Sequence, residues 1–179
     1  MTAKDCILGR RSIRRFKPDA IDHSIIEEIV ATASYAPSWK HTQITRYIAV
    51  EGELKDQIAT QACDAWKPNT DIINAAPVLM VVSVIKNRSG FERDGSYSTP
   101  RKDGWQMFDA GVASQTLCLA AHDKGIGTVI LGIFDSKKVA SILEVPEDRD
   151  VIALIPMGYP DEDPVAPKRK SVEDLLSYK

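Results

Sequence analysis

Between Ala75 and Ile85 the chain carries 11 consecutive residues broken only by Ser83, and from Pro77 onward the run is rich in valine. It is too short to span a bilayer. It is also too uniformly apolar to leave one face wet. The run therefore predicts a central strand over Pro77–Ile85, buried on both faces, in a sheet flanked by helices. Trp105 to Lys124 supplies the most apolar helical stretch. Phe108, Val112, Gln115, Leu119 and His122 spread around it, with small Ala110, Gly111, Ala113 and Ala120 between them. A helix with so little polar face belongs at the centre of a fold or at a subunit interface.

Other elements follow from caps and periodicity. Lys4–Gly9 reads as a helix with Thr2 as its cap. Lys17-Pro18-Asp19 is a turn. Asp22 or Ser24 opens a helix whose apolar face is Ile25, Ile26, Ile29, Val30 and Ala33, and Ser24 with Glu27 fits a capping box. Ala36-Pro37-Ser38 stops it. Tyr47–Val50 reads as a strand and Leu54–Ala62 as a helix. Gly125-Ile126-Gly127 ends the long helix as a C-cap and turn. Thr128–Leu131 reads as a strand, Ser136 as the cap of a helix to Leu143, and Val151–Met157 as a further strand. Pro160 to Pro167 carries three prolines and should run extended. Strands and helices mix without a βαβ rhythm, so the class is α+β with a partly antiparallel sheet. At 179 residues the chain is expected to form a single domain, 1–179. Lys86 to Gly104 is polar and without period, and contains Gly90, Gly95 and Pro100. A stretch of this length is a functional lid or disordered.

The chemistry concentrates in two basic clusters. Arg10-Arg11-Ser12-Ile13-Arg14-Arg15-Phe16-Lys17 gathers five cations around one hydroxyl, on a chain whose formal charge is -2. Guanidinium groups match phosphate oxygens with paired hydrogen bonds, and Ser12 adds a neutral donor. Lys168-Arg169-Lys170 forms the second cluster. With 23 basic against 25 acidic residues there is no general drive towards nucleic acid or an anionic membrane. Cys6, Cys63 and Cys118 show no CxxC spacing, and His23, His41 and His122 lie far apart. Neither a disulfide framework nor a metal site is expected. The segment Met1–Asp5 lacks the apolar core of a signal peptide, and the expectation is a cytoplasmic protein.

Four motifs in order give the chain a likeness. Arg10 to Phe16 resembles the opening motif of the nitroreductase-like FMN-dependent oxidoreductases. Ala36-Pro37-Ser38-Trp39-Lys40-His41-Thr42-Gln43 resembles that family's second motif. Asp109-Ala110-Gly111, through Leu119-Ala120-Ala121 to Gly125-Ile126-Gly127-Thr128, resembles its central helix and the strand after it. Met157-Gly158-Tyr159-Pro160 with Pro167-Lys168-Arg169-Lys170 resembles its C-terminal signature. The likeness covers about residues 7 to 175. It implies a three-layer α/β/α fold with a central mixed, largely antiparallel sheet, and a homodimer with FMN in the subunit interface. Arg10, Ser12 and Arg169, with Arg11 and Lys168 beside them, would hold the phosphate and ribityl chain. Arg14 would reach the N1/O2 edge of the flavin ring. Pro37, Ser38, His41 and Gln43 would come from the facing subunit, and Ile130, Leu131 and Gly132 would line the ring. Two departures stand out: many members have Asn in place of His41 and Pro-Trp in place of Ile44-Thr45. A His at that place also resembles the iodotyrosine deiodinase branch.

The implied activity is ping-pong transfer from NADH or NADPH, through flavin N5, to a small-molecule acceptor such as a nitroaromatic or quinone. The flavin carries the chemistry, so no protein catalytic residue is implied. Two alternatives share the scaffold: a specialised reductive dehalogenase, and a non-catalytic flavin-binding protein. No acidic residue at a diagnostic spacing separates NADH from NADPH.

Overall fold

The computed structural model describes residues 1–179. Seven α-helices and four strands are arranged as α1 (Ala3–Gly9), α2 (His23–Ala33), β1 (Thr45–Val50), α3 (Gly52–Gln61), α4 (Lys67–Ala75), β2 (Val78–Ile85), α5 (Gly104–Asp123), β3 (Gly127–Thr128), α6 (Ser136–Ile142), β4 (Arg149–Gly158) and α7 (Val172–Leu175). The sheet order is β1-β2-β4-β3, and all three ladders are antiparallel. One parallel bridge, Ser12 to Thr128, adds the N-terminal basic segment beyond β3.

β2 has two apolar faces and each packs on helices. Val78, Met80 and Val82 point towards α2 and α5, where Ile26, Ile29, Leu117 and Ala121 meet them. Leu79 and Val81 point the other way, towards Ile58 and Ala59 of α3, Ile73 of α4 and Val139 of α6. This alternation produces the three-layer α/β/α architecture: one strand with no polar side cannot be covered from one direction only. Each fully buried Val, Leu or Met here contributes about 1.5–3 kcal/mol relative to exposure. A register shift between Val82 and Ser83 leaves Ile152 as the extra residue of β4. α5 approaches the sheet through Ala110, Ala113, Ala120 and Ala121, all buried, while Met107 and Phe108 on its outer side are exposed. No helix is long and apolar enough to cross a membrane.

Several local expectations need correction. The stretch Thr128–Leu131 is not a continuous strand. β3 ends at Thr128, and only Leu131 pairs again, with Leu154. Asp22 rather than Ser24 caps α2, accepting from the Ser24 N–H, and no Ser24–Glu27 box forms. Asp135 rather than Ser136 caps α6. A capping box does occur, at Ser171 and Asp174 of α7. The helix α4 has no counterpart in the pattern reading, although Pro68 in its first turn is a start signal. Its C-terminal carbonyls receive the buried Lys55 ammonium, which donates to Ile73 O at 3.1 Å, a cation placed where the helix dipole favours one. Gly125, at φ +76°, turns the chain after α5 as the sequence implies.

Lys86–Gly104 is a series of turns rather than a strand or helix, and it is tied down. The Asn87 N–H donates to Gln106 Oε1 at 2.7 Å, Phe91 bridges Tyr97, and Trp105 Nε1 donates to Thr99 Oγ1 at 2.8 Å. The tail begins beside the N-terminal basic segment, with Lys17 N–H on Tyr159 O at 2.8 Å and Asp161 N–H on Arg15 O at 3.0 Å. Gly158 makes that approach possible. A Cβ there would sit 2.7 Å from Pro77 Cδ and 3.0 Å from Phe16 Cβ. Gly158→Ala should therefore cost about 1–3 kcal/mol as an overpacked contact. Urea unfolding would read this as a lower midpoint with an unchanged slope.

Candidate functional site

Antiparallel pairing carries the tail back past the N-terminal segment, and the two basic clusters meet there. Arg10, Arg11, Ser12, Arg14 and Arg169 line one cleft of about 270 Å³, with Pro164, Val165 and Pro167 completing its wall. No carboxylate lines it. Arg15 is drawn off to Glu162, 3.4 Å away, and the same carboxylate accepts from the Arg14 and Arg15 N–H groups at 2.5 and 3.2 Å. Arg10, Arg11, Arg14 and Arg169 form no ion pair. Arg11 turns partly back, donating to Leu8 O at 2.7 Å at the end of α1. Lys168 is exposed and outside the cleft. Four guanidiniums facing one cavity without acids repel one another and form a donor set suited to a multivalent oxyanion.

A second cavity, of about 280 Å³, shares Arg10 and Arg11 and is lined further by His122, Thr128, Glu162 and Asp163. Burial holds the His122 imidazole below its ordinary range, and the nearby Arg10 and Arg11 charges push it the same way; Asp123 opposes them. The sequence reading places His122 only on the apolar helix and assigns it no site role. Only folding brings it next to Arg10.

Pro37, Ser38, His41 and Gln43 occupy a different place, the loop that feeds β1. Lys40, His41 and Gln43 are non-glycine residues in the left-handed region, at φ +44°, +57° and +48°. Such positions cost about 1–2 kcal/mol each and persist only where the surroundings enforce them. The enforcement is visible. The Trp39 N–H donates to both carboxylate oxygens of Asp109 at 3.1 Å, and the Gln43 N–H donates to Ser38 Oγ at 3.0 Å. Arg46 holds Gln43 O at 2.7 Å, and Lys40 pairs with Glu92 at 2.9 Å. The result presents His41 Nε2 and Gln43 Nε2, 3.0 Å apart, on the surface. Pro37, Ser38 and Gln43 also line a small cavity against Tyr47 and Asp109. Burial pushes the Tyr47 phenol up to about 12, so it stays protonated, and it donates to Ala113 O at 3.4 Å.

The two groups sit at opposite corners of the sheet. Thr45, just after the loop, pairs with Val84 of β2, while Thr128, beside Ser12, pairs with Met157, which pairs with Val78. The separation is three interstrand steps of about 4.8 Å across and six residues of about 3.3 Å along. No side chain spans that within one chain. Ile130, Leu131 and Gly132 lie on the β3 side. Leu131 is buried in the core and its N–H donates to Leu154 O at 2.8 Å, which leaves Ile130 and Gly132 as the exposed members.

The nitroreductase family model matches residues 7–71 and 59–159. The chain belongs to the nitroreductase family. Among curated proteins it is similar to YfhC of Bacillus subtilis, a candidate NAD(P)H nitroreductase, with 28% identity over 189 residues covering 97% of this chain and 92% of that one. It is similar also to iodotyrosine deiodinase of Haliscomenobacter hydrossis, with 29% identity over 180 residues, 88% of this chain and 79% of that one. Among solved structures it shares the fold of a candidate nitroreductase of Desulfovibrio desulfuricans crystallised in complex with FMN. There the TM-score is 0.77 at 24% identity, over 98% of this chain and 95% of that one.

The His122 environment makes this nitroreductase-family chain acid-sensitive in a definite direction. Folding lowers the affinity of the imidazole for a proton, so the unfolded chain binds more protons once pH falls through the ordinary histidine value of about 6.5. Stability should drop from pH 7.5 to 5.5. His122→Gln should drop less over that interval, as thermal midpoints would show; an equal drop in the variant would assign the sensitivity elsewhere.

Proposed function

We propose that the protein is an FMN-dependent NAD(P)H oxidoreductase, acting as a cytoplasmic homodimer with one FMN in each of two interface clefts. One observation carries the reading: cations from both ends of the chain line a single acid-free cleft together with the Ser12 hydroxyl. That donor set fits a phosphate monoester dianion. Arg10 and Arg169 neutralise the phosphate, Arg11 adds to the field, and Ser12 donates a hydrogen bond. Lys168 contributes charge at the rim. Arg14 supplies a fixed cation for the N1/O2 edge, where negative charge gathers on reduction. Bound FMN would supply two-electron chemistry, accepting hydride at N5 from NADH or NADPH and passing it to a nitroaromatic, quinone or similar acceptor that enters after the nicotinamide leaves.

The corner-to-corner arrangement supports the homodimer. Pro37, Ser38, His41 and Gln43 cannot reach the arginine cleft of their own chain, whereas a twofold-related copy can present them to it. Ile130 and Gly132 line the ring from the cleft's own side. The exposed tip of Lys86–Gly104, around residues 92–97, acts as a lid over the open side. Three buried, unpaired cysteines fit a reducing compartment.

A second reading, a reductive dehalogenase, is favoured by the deiodinase relative and by His41 in the second motif. It requires one halogenated aromatic to be turned over far faster than generic nitro compounds and quinones. A protein that only stores flavin would hold FMN without steady turnover.

Purified protein should be yellow or become so with added FMN, and NADH or NADPH should bleach it without oxygen. A colourless protein that takes up no FMN overturns the proposal. Arg169→Ala should weaken FMN retention by about 10- to 100-fold, the loss of one charge-assisted phosphate contact. Arg15→Ala, whose guanidinium is committed to Glu162, should stay within about threefold by the same argument. Equal retention in both variants counts against the role of Arg169.

A further inference from the structure

Asp109 receives no role from the flavin reading, yet it is a buried carboxylate with donors from two separate segments. It lies in α5 and is 3% exposed. Both of its oxygens accept from the Trp39 N–H at 3.1 Å. One of them also accepts from Ser89 Oγ at 2.7 Å, and Ser89 is fully buried. The carboxylate therefore joins three segments far apart in sequence: the left-handed loop 38–43, the turn segment 86–104 and the central helix. Trp39 and Trp105 pack beside this junction, their ring centroids 4.6 Å apart.

We infer that Asp109 is the positioning residue that fixes the Pro37–Gln43 loop against the flavin, and that Ser89 couples the 86–104 segment to that loop through the same carboxylate. The flavin part of the inference rests on the proposed FMN reading; the coupling does not. A buried carboxylate with two donors from different segments is suited to this task. Removing either donor leaves charge less compensated and loosens what the other donor holds. Lys40, His41 and Gln43 hold a disfavoured backbone conformation; Ser38 and Arg46 keep the internal shape of the turn, and the Trp39 N–H on Asp109 ties that turn to the central helix. The Ser89 hydroxyl makes the state of 86–104 felt at the same atom.

The test uses Asp109→Asn and Ser89→Ala in the full chain. In flavin-free protein, amide hydrogen exchange is followed at residues 38–43 and 87–92. Both variants should accelerate exchange in both segments, by about tenfold for Asp109→Asn and about threefold for Ser89→Ala. In FMN-loaded protein, Asp109→Asn should alter the visible circular dichroism of the flavin and slow its reduction by about tenfold, as a displaced contact loop would. FMN affinity should fall less than in Arg169→Ala, because the phosphate contacts of the arginine cleft stay in place while only the loop contact with the ring is loosened. Ser89→Ala accelerating exchange only at 87–92 overturns the coupling. An unchanged flavin signature and reduction rate in Asp109→Asn overturns the positioning role. If Asp109→Asn does not fold, Ser89→Ala decides the coupling by exchange, and Asp109→Glu, which keeps the charge but moves the carboxylate, decides the positioning role by the flavin circular dichroism and reduction rate: unchanged values overturn it. Wild-type protein that takes up no FMN refutes the FMN reading, while the exchange arm still decides the coupling.

Discussion

β2 is held between β1 and β4 with helices on both of its faces, and the rest of the molecule is arranged around that confinement. A strand of Val, Leu and Met with no polar side demands apolar cover above and below. The chain meets the demand with α2 and α5 on one face and α3, α4 and α6 on the other. Because the neighbours pair antiparallel, each ladder also decides which chain segments emerge at which corner. The loop before β1 leaves at the Val84 end of β2. The N-terminal basic segment docks at the Val78 end, through β3 and β4. The site chemistry is divided by the sheet before any side chain is considered.

Each half of the site carries a cost that the fold alone does not repay. The arginine cleft gathers cations without counter-charges, and Glu162, which lines the adjoining cavity, is committed to Arg15 and to two backbone N–H groups. The loop half stores strain in three left-handed residues, anchored through Trp39 to a buried aspartate. Both costs are of the kind found where a ligand or partner supplies the missing compensation. Under the proposed function, an oxyanion would compensate the first, and contact with a ring held by a second copy would give purpose to the second.

What could be read in advance follows from where the governing forces act. The two-faced burial of Pro77–Ile85 and the apolar character of α5 are written in local composition, and the folded chain realises both. The meeting of Arg10 with Arg169 was legible through the order of motifs rather than through periodicity. The left-handed turn at 40–43 was hidden, because its hold comes from contacts made only on folding: Asp109 on the Trp39 N–H, Ser38 Oγ on the Gln43 N–H, Arg46 on Gln43 O and Glu92 on Lys40. Asp109 was visible only as part of a motif, since a buried carboxylate shows its role through its partners. Thr128–Leu131 failed as a strand for a related reason. Its residues have strand-like composition, but β4 offers them pairing only at Thr128 and Leu131. Pattern reading sees what a residue prefers, and here tertiary bonds decide against preference.

The exposed apolar residues extend the argument beyond one chain. Ile7 and Leu8 of α1, Met107 and Phe108 of α5, and Leu175 and Leu176 at the tail are all exposed. A few scattered apolar side chains on a surface need no explanation. These belong to the same elements that border the two half-sites: α1 runs into Arg10, α5 carries Asp109, and the tail carries Arg169. A second copy covering them would bury apolar area and join a loop corner to an arginine corner in one step. An isologous pairing does this twice, because whatever one protomer offers it also receives. On this reading association and assembly of the site are driven by the same contact, and a protomer alone holds two incomplete halves.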